Sequence, residues 1–248
     1  MPTGIINFPT RQYLSEYYQS IDFENYALMS FLHRAYSFIG KRQRLLDVGS
    51  GPTIYQFASA SKVINKIVAS EPLLSNRREI LSWLAEDSDA FNWDAFITHA
   101  AVLEGKEGSQ EDCQYIKDRM RKCITSVIPC DIHNEEPLFI SVEELFDVAS
   151  AHFCLEAASG TIDEFLYCLR NVLRVITPDG FFIASLLKEA HYYAVSDTWL
   201  PSLAVNETLI EELFTASGLV LLRSETITVE PQRGYQGIIL CLSRKRCR

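Results

Sequence analysis

Apolar positions along the chain follow two alternating rhythms, a helical one and a short continuous one. Residues 10–18 (TRQYLSEYY) and 23–39 (FENYALMSFLHRAYSFI) carry aromatic and aliphatic side chains at helical spacing and predict two leading helices. The pattern then turns continuous at Leu45, Leu46 and Val48, as a strand buried on both faces requires. It breaks into Gly49-Ser50-Gly51, and Thr53 caps a helix through Ile54, Tyr55 and Phe57. A second apolar run, 66–70, ends at Glu71, and Ile80, Leu81 and Leu84 mark a helix over 75–84. Residues 87–122 read as a charged, solvated cap whose helix SQEDCQYIKDRMRKC opens acidic and closes basic. Ile124–Ile128 is a third strand, and 145–158 holds a fourth that turns polar near Ser150. An amphipathic helix over 163–175 meets a TPDG turn at 177–180 and then strand five, FFIASLL. Residues 188–203 lack a clean period and predict an irregular loop; 205–217 form a helix closed by Gly218. Two final strands pair as a hairpin around Pro231 and Gly234. The order predicts an α/β fold: an open sheet of seven strands, mostly parallel, with one late antiparallel strand.

With 248 residues, 48% of them hydrophobic, the chain can bury one large core, so a single domain is expected over 1–248. Within it, 1–40 would be a helical cap and 41–248 the core. No apolar run is long enough to span a bilayer, and the start lacks a basic n-region and a long apolar stretch, predicting a soluble, unprocessed protein without membrane contact. Seven cysteines without CxxC spacing give neither a complete set of disulfides nor a metal cluster and suit the cytoplasm. A net charge of −9 opposes a nucleic-acid partner, and the basic tail Arg244, Lys245, Arg246 and Arg248 reads as a solvated end. A small molecule is the expected partner. A monomer is favoured, although no residue pattern sets the oligomeric state.

The candidate chemistry begins at Gly49-Ser50-Gly51. The third glycine of GxGxxG is missing and Pro52 and Thr53 fill the helix mouth, so a nucleoside fits this cradle better than a dinucleotide. Glu71 stands where a carboxylate would accept hydrogen bonds from ribose hydroxyls, or it is a surface residue at a strand end. Asn76 lies in the next helix's first turn. Asp131 either accepts from an adenine amino group or caps the turn before His133 and Asn134. His152, Phe153 and Cys154 fall at the carboxyl end of strand four, beside any ligand of a parallel sheet. Tyr13, Tyr17 and Tyr18 either form a lid over the cradle or simply pack.

Strand, cradle, second-strand acid and third-strand acid resemble the class I S-adenosylmethionine-dependent methyltransferases, which have a Rossmann-like core. The wording GSGPTIYQ, with RQYLSEYY before it, then FNWD at 91–94, CDI at 130–132, CLEAA at 154–158, LRNV at 169–172 and KEAHYY, is similar to the nicotinamide, phenylethanolamine and indolethylamine N-methyltransferase family from about Phe8 to about residue 243. That resemblance implies S-adenosyl-L-methionine as cofactor and S-adenosyl-L-homocysteine as product. It implies an N-terminal helical lid, with cofactor contacts from Tyr13, Tyr18, Gly49, Ser50, Gly51, Thr53, Tyr55, Glu71, Asn76, Asp131, Ile132, His152, Phe153 and Cys154. Acceptor contacts would come from Tyr18, Phe153, Ser185, Tyr193, Trp199 and Ser202, aromatic faces suiting planar and cationic acceptors alike. Candidate bases for a protonated acceptor are His152, His191, Glu189 and Glu156. The chain departs from the family's pattern in having Glu71 for Asp, His152 for a small hydroxyl residue, and Ser185 for the Asp of the nicotinamide enzymes, which argues against nicotinamide itself. The implied activity is N-methylation of an amine or N-heterocycle by in-line displacement. O- or S-methylation and a non-catalytic cofactor-binding module are the alternatives.

Overall fold

Successive residues of the central strands point to opposite faces, and both faces are covered. Leu45, Ala69, Val148, Ile183 and Leu240 pack on one side, while Leu46, Ala149, Phe182, Ala184 and Ile239 pack on the other. The protein, seen in a computed structural model, is described over residues 8–138, 145–195, 197–229 and 234–247; Pro231 and Arg248 lie outside these. Helices α1 (Thr10–Tyr18) and α2 (Phe23–Ile39) precede β1 (Arg42–Val48), α3 (Gln56–Ala60), β2 (Ile64–Ser70) and α4 (Leu74–Leu84). Then come α5 (Asp94–Leu103), α6 (Gln110–Cys123), β3 (Ile124–Ile128), β4 (Phe146–His152), α7 (Ile162–Arg174) and β5 (Ile176–Lys188). The chain closes with β6 (Tyr192–Val195), β7 (Thr198–Pro201), α8 (Glu207–Ala216), β8 (Leu219–Thr228) and β9 (Gly237–Lys245).

The seven-stranded sheet has the order β3-β2-β1-β4-β5-β9-β8, and β9 runs antiparallel to both of its neighbours. This is the α/β sheet with one antiparallel strand that the hydrophobic pattern predicts. Local chemistry sets the helix starts. Asp22 accepts from the Asn25 amide to cap α2, Ser109 and Asp112 form a capping box on α6, and Thr161 and Asn206 cap α7 and α8.

Four local expectations are corrected. The stretch 87–122 is not merely a solvated cap: Trp93, Phe96 and Ile97 are buried in the core beneath α2 and α3, because aromatic mass outweighs the surrounding charge. Thr53 does not cap a helix; α3 starts at Gln56, and the Thr53 hydroxyl donates 3.0 Å to the Ser50 carbonyl, tightening the loop. TPDG is a bulge within β5, since Phe146 pairs with Ile176 and Val148 with Phe181. Residues 188–203 contain a regular hairpin, β6 on β7.

Candidate functional site

Strand order reverses between β1 and β4, and the cleft outside their carboxyl ends is the ligand site of such sheets. A cavity opens there. Its floor is the loop after β1, where Gly49 and Gly51 take φ of +64° and +61°. A Cβ on Gly49 would lie 2.3 Å from Sγ of Cys154, so only glycine fits. Beneath the loop, buried Asp47 accepts from Ser150 Oγ at 2.5 Å and from Gln56 Nε2 at 3.2 Å, and its carbonyl accepts from Ser70 Oγ at 2.9 Å. These bonds fix the cradle before any ligand arrives.

Glu71, at the end of β2, is 4% exposed. It accepts from the Gly51 and Leu73 amides and from Asn76 Nδ2, each at 3.0 Å. Burial pushes its carboxyl up from the usual range, while those N–H donors and Arg77 pull it back. Thr10 of α1 donates to Asn76 Oδ1 at 2.7 Å. The first helix is thereby fastened to the carboxylate's own partner.

Over the cradle lies a wall of rings. The Tyr13 and Tyr18 hydroxyls are 3.1 Å apart, Tyr18 stacks on Tyr55 with centroids 5.4 Å apart, and Tyr17 donates to the Ala194 carbonyl at 2.6 Å. Burial raises the Tyr13 and Tyr18 phenols well above their ordinary value and keeps them neutral. Phe8, Phe153 and Tyr193 continue the wall, and Tyr235 donates 2.7 Å to Glu24 at its edge. Among the described lining residues, carboxylates are present and Lys and Arg are not, so the cavity favours neutral or cationic ligands.

At the end of β4, His152 lines the cavity with its side chain 6% exposed. Nδ1 lies 2.9 Å from Ser185 Oγ, and buried Nε2 lacks a hydrogen-bond partner among the described residues, 4.0 Å from Asp47 Oδ1. Burial lowers its proton affinity, against the opposing pull of the Asp47 carboxylate. Four residues on, Glu156 is fully buried. One oxygen accepts from the Leu187 amide at 2.9 Å, the other has no partner among the described residues, and burial pushes the carboxyl up to about 7.

The cavity gathers Tyr13, Tyr18, Gly49, Ser50, Gly51, Thr53, Tyr55, Glu71, Asn76, His152, Phe153, Cys154 and Tyr193 of the sequence-derived candidates. Others stand elsewhere. Asp131 accepts from the His133 amide and faces its ring at 3.0 Å, the turn alternative, and Ile132 is buried with its carbonyl taken by Asn171. Ser185 lies beneath His152, fully buried. The β6–β7 hairpin carries His191 and Trp199 outward, where Trp199 is 64% exposed against Tyr192. Glu189 accepts from Asn206 at 3.1 Å, and Ser202 is buried beside the His191 carbonyl. None of Asp131, Ile132, Ser185, Glu189, His191, Trp199 and Ser202 reaches the cavity wall. Sequence reading missed Thr10, Glu24, Leu28, Tyr235 and Ile238, which sit on helix faces or late strands without a local motif; Thr10 offered one signal, a small polar residue opening a helix otherwise read as packing.

The glycine floor that no Cβ may enter, followed by a buried carboxylate, suits a nucleoside, and the aromatic wall suits a second, planar or cationic molecule. A model of the NNMT/PNMT/TEMT family matches residues 4–246. The chain is 32% identical to human phenylethanolamine N-methyltransferase (Homo sapiens) over 177 residues, 70% of this chain and 61% of that protein. It is 26% identical to human nicotinamide N-methyltransferase over 99% of this chain and 96% of that one. Mouse (Mus musculus) indolethylamine N-methyltransferase is 25% identical over 81% of this chain and 76% of its own. Among solved structures, N-methyltransferase NodS of Bradyrhizobium japonicum WM9, in complex with S-adenosyl-L-homocysteine, overlays with a TM-score of 0.57 at 13% identity, covering 93% of this chain and 90% of that one. The 1,6-didemethyltoxoflavin-N1-methyltransferase of Burkholderia thailandensis gives 0.56 at 15% identity, covering 96% and 87%. These two show a shared fold.

Proposed function

The chain belongs to the NNMT/PNMT/TEMT family of S-adenosylmethionine-dependent small-molecule N-methyltransferases, and we propose that it methylates the nitrogen of a small aromatic amine or N-heterocycle in the cavity beside β1 and β4. One observation carries the choice of acceptor: the wall facing the cradle is made of Tyr17, Tyr18, Phe153 and Tyr193, with no Lys or Arg among the described lining residues to receive a carboxylate. Nicotinamide fits less well, since strand five carries Ser185 and that serine is buried away from the wall.

When bound, S-adenosylmethionine supplies a methyl group on a positively charged sulfur. Glu71 would accept hydrogen bonds from the ribose hydroxyls, Gly49 and Gly51 would let the backbone approach the nucleoside, and Asn76 steadies Glu71. Tyr13 and Tyr18 cover the site, exclude water and leave the acceptor little freedom, which is where an in-line displacement gains most from a protein. A protonated amine must first lose its proton. His152, which lines the cavity with Nε2 unpartnered among the described residues, supports a role as acceptor of that proton. His191, Glu189 and Glu156 are not among the described residues that line the cavity, which supports them less in that role. Among the described residues, no helix is long and apolar enough to cross a membrane. The net charge and the unpaired cysteines support a cytoplasmic enzyme that does not act on nucleic acid.

Thermal unfolding with and without S-adenosylmethionine tests the donor, and assay of amines, N-heterocycles and phenols tests the acceptor. A raised midpoint and a methyl group on nitrogen are expected. No shift at saturating ligand in folded protein overturns the donor site, and a methyl group on oxygen or sulfur overturns the acceptor class.

A further inference from the structure

Of the described non-glycine residues with positive φ, Phe153 alone lines the cavity. Its φ is +53°, a conformation that a bulky L residue adopts only when its surroundings impose it. One residue of the neighbouring strand meets both Phe153 and the residue before it. The Ser185 carbonyl accepts from the Phe153 amide at 2.7 Å, and the Ser185 hydroxyl meets Nδ1 of His152 at 2.9 Å. His152 and Ser185 are in register across β4 and β5, so both bonds close at the last paired position before the chain turns. Ser185 itself is fully buried and touches no ligand space. The imidazole fills the gap between that serine and Asp47, while its other nitrogen has no hydrogen-bond partner among the described residues.

We infer that Ser185 and His152 form a clamp that holds Phe153 in its left-handed conformation, and that this clamp sets the position of the Phe153 ring against the acceptor. Ser185 is therefore a positioning residue acting through two atoms on two successive residues. This rests on the assignment of the aromatic end of the cavity to the acceptor. It accounts for a buried serine where a strand of this burial would otherwise carry an apolar residue.

Crystal structures of the S-adenosylhomocysteine complexes of Ser185→Ala, His152→Ala and His152→Asn test the clamp directly. Asparagine places an amide where Nδ1 stood and can keep the bond to Ser185, so it separates the clamp from mere filling of space. All three variants keep the main-chain bond from the Phe153 amide to the residue 185 carbonyl, so they read the side-chain half of the clamp: expected is a negative φ at residue 153 in both alanine variants, where the His152–Ser185 bond is gone, and its return to positive φ in His152→Asn. The KM for whichever amine the wild type methylates should rise about tenfold in Ser185→Ala. Its affinity for S-adenosylhomocysteine, measured by calorimetry, should stay within about twofold, because the hydroxyl lies below the cavity. A residue 153 that keeps positive φ in both alanine variants overturns the clamp, as does a His152→Asn protein that behaves like His152→Ala. Failure of the methyltransferase reading shows separately, as a wild-type protein that binds no S-adenosylhomocysteine or methylates nothing; the conformation of residue 153 in ligand-free crystals still decides the clamp.

Discussion

Asn76 is shared between Thr10 and Glu71: its Oδ1 accepts from the Thr10 hydroxyl at 2.7 Å while its Nδ2 donates to the Glu71 carboxylate at 3.0 Å. The first helix and the ribose carboxylate are thus two ends of one hydrogen-bonded chain, although 66 residues separate Thr10 from Asn76. Thr10→Val removes the first link and preserves shape. It should weaken S-adenosylmethionine binding by about three- to tenfold, the worth of one such bond, and lower the melting temperature of the free protein by a few degrees, because the buried Asn76 Oδ1 loses its partner. Calorimetric titration reads the first and thermal unfolding the second; equal affinity in the two proteins would show that Asn76 holds Glu71 unaided.

Glu71 carries structural as well as binding duties. Glu71→Ala strips partners from the Gly51 and Leu73 amides and from Asn76, leaving buried donors unsatisfied at a cost of about 1–3 kcal/mol each before relaxation and water entry. The variant should melt several degrees lower and lose the thermal shift that S-adenosylmethionine gives the wild type. A variant that melts lower yet still shifts fully would remove Glu71 from the donor site.

Gly49→Ala meets two obstacles, a φ of +64° and Sγ of Cys154 at 2.3 Å. Roughly 1–2 kcal/mol of backbone strain adds to the steric conflict. Pairing it with Cys154→Gly relieves only the second obstacle. The double variant should therefore recover part of the lost stability in urea unfolding and not all of it. Complete recovery would mean that the backbone at 49 relaxes without strain.

Glu156 makes stability depend on pH. Its carboxyl is held at about 7 in the folded chain against 4.5 as the ordinary value, so the folded state keeps a proton that the unfolded chain has released. The associated stability is whole below about pH 4.5 and drains away as pH rises to about 7, a loss on the order of 1–3 kcal/mol. Glu156→Gln should be unaffected over that window and overtake the wild type in melting temperature between pH 5 and pH 8. Parallel curves for the two proteins would place the Glu156 carboxyl at an ordinary value.

The sheet was legible because its strands are buried on both faces: Leu45-Leu46 and the run Phe181–Leu187 read as strands from apolar continuity alone. The cradle was legible for a different reason, since the positive φ at 49 and 51 selects glycine residue by residue, and an acid at the end of the second strand stands in reach of the loop's amides. The acceptor side was not. Which way Tyr193 and Trp199 face is decided by the β6–β7 pairing, and a short run such as YYAV gives no sign of its partner TWLP. Ser185 looked like a ligand contact because it replaces a charged residue of the family, but register places it under His152 instead. Tyr235 and Glu24 meet across 211 positions of chain, beyond any local pattern.

The nine residues of α1 are too few to persist as a helix alone in water. The element that roofs the cavity is held instead by contacts such as Thr10 to Asn76, Arg11 to Glu79 and Tyr17 to the Ala194 carbonyl. Two of these fasten it to α4 and one to the hairpin, so the roof lifts only when both attachments let go together. Any opening of that roof is therefore a cooperative event, whose cost is the sum of both attachments and not of the weaker one.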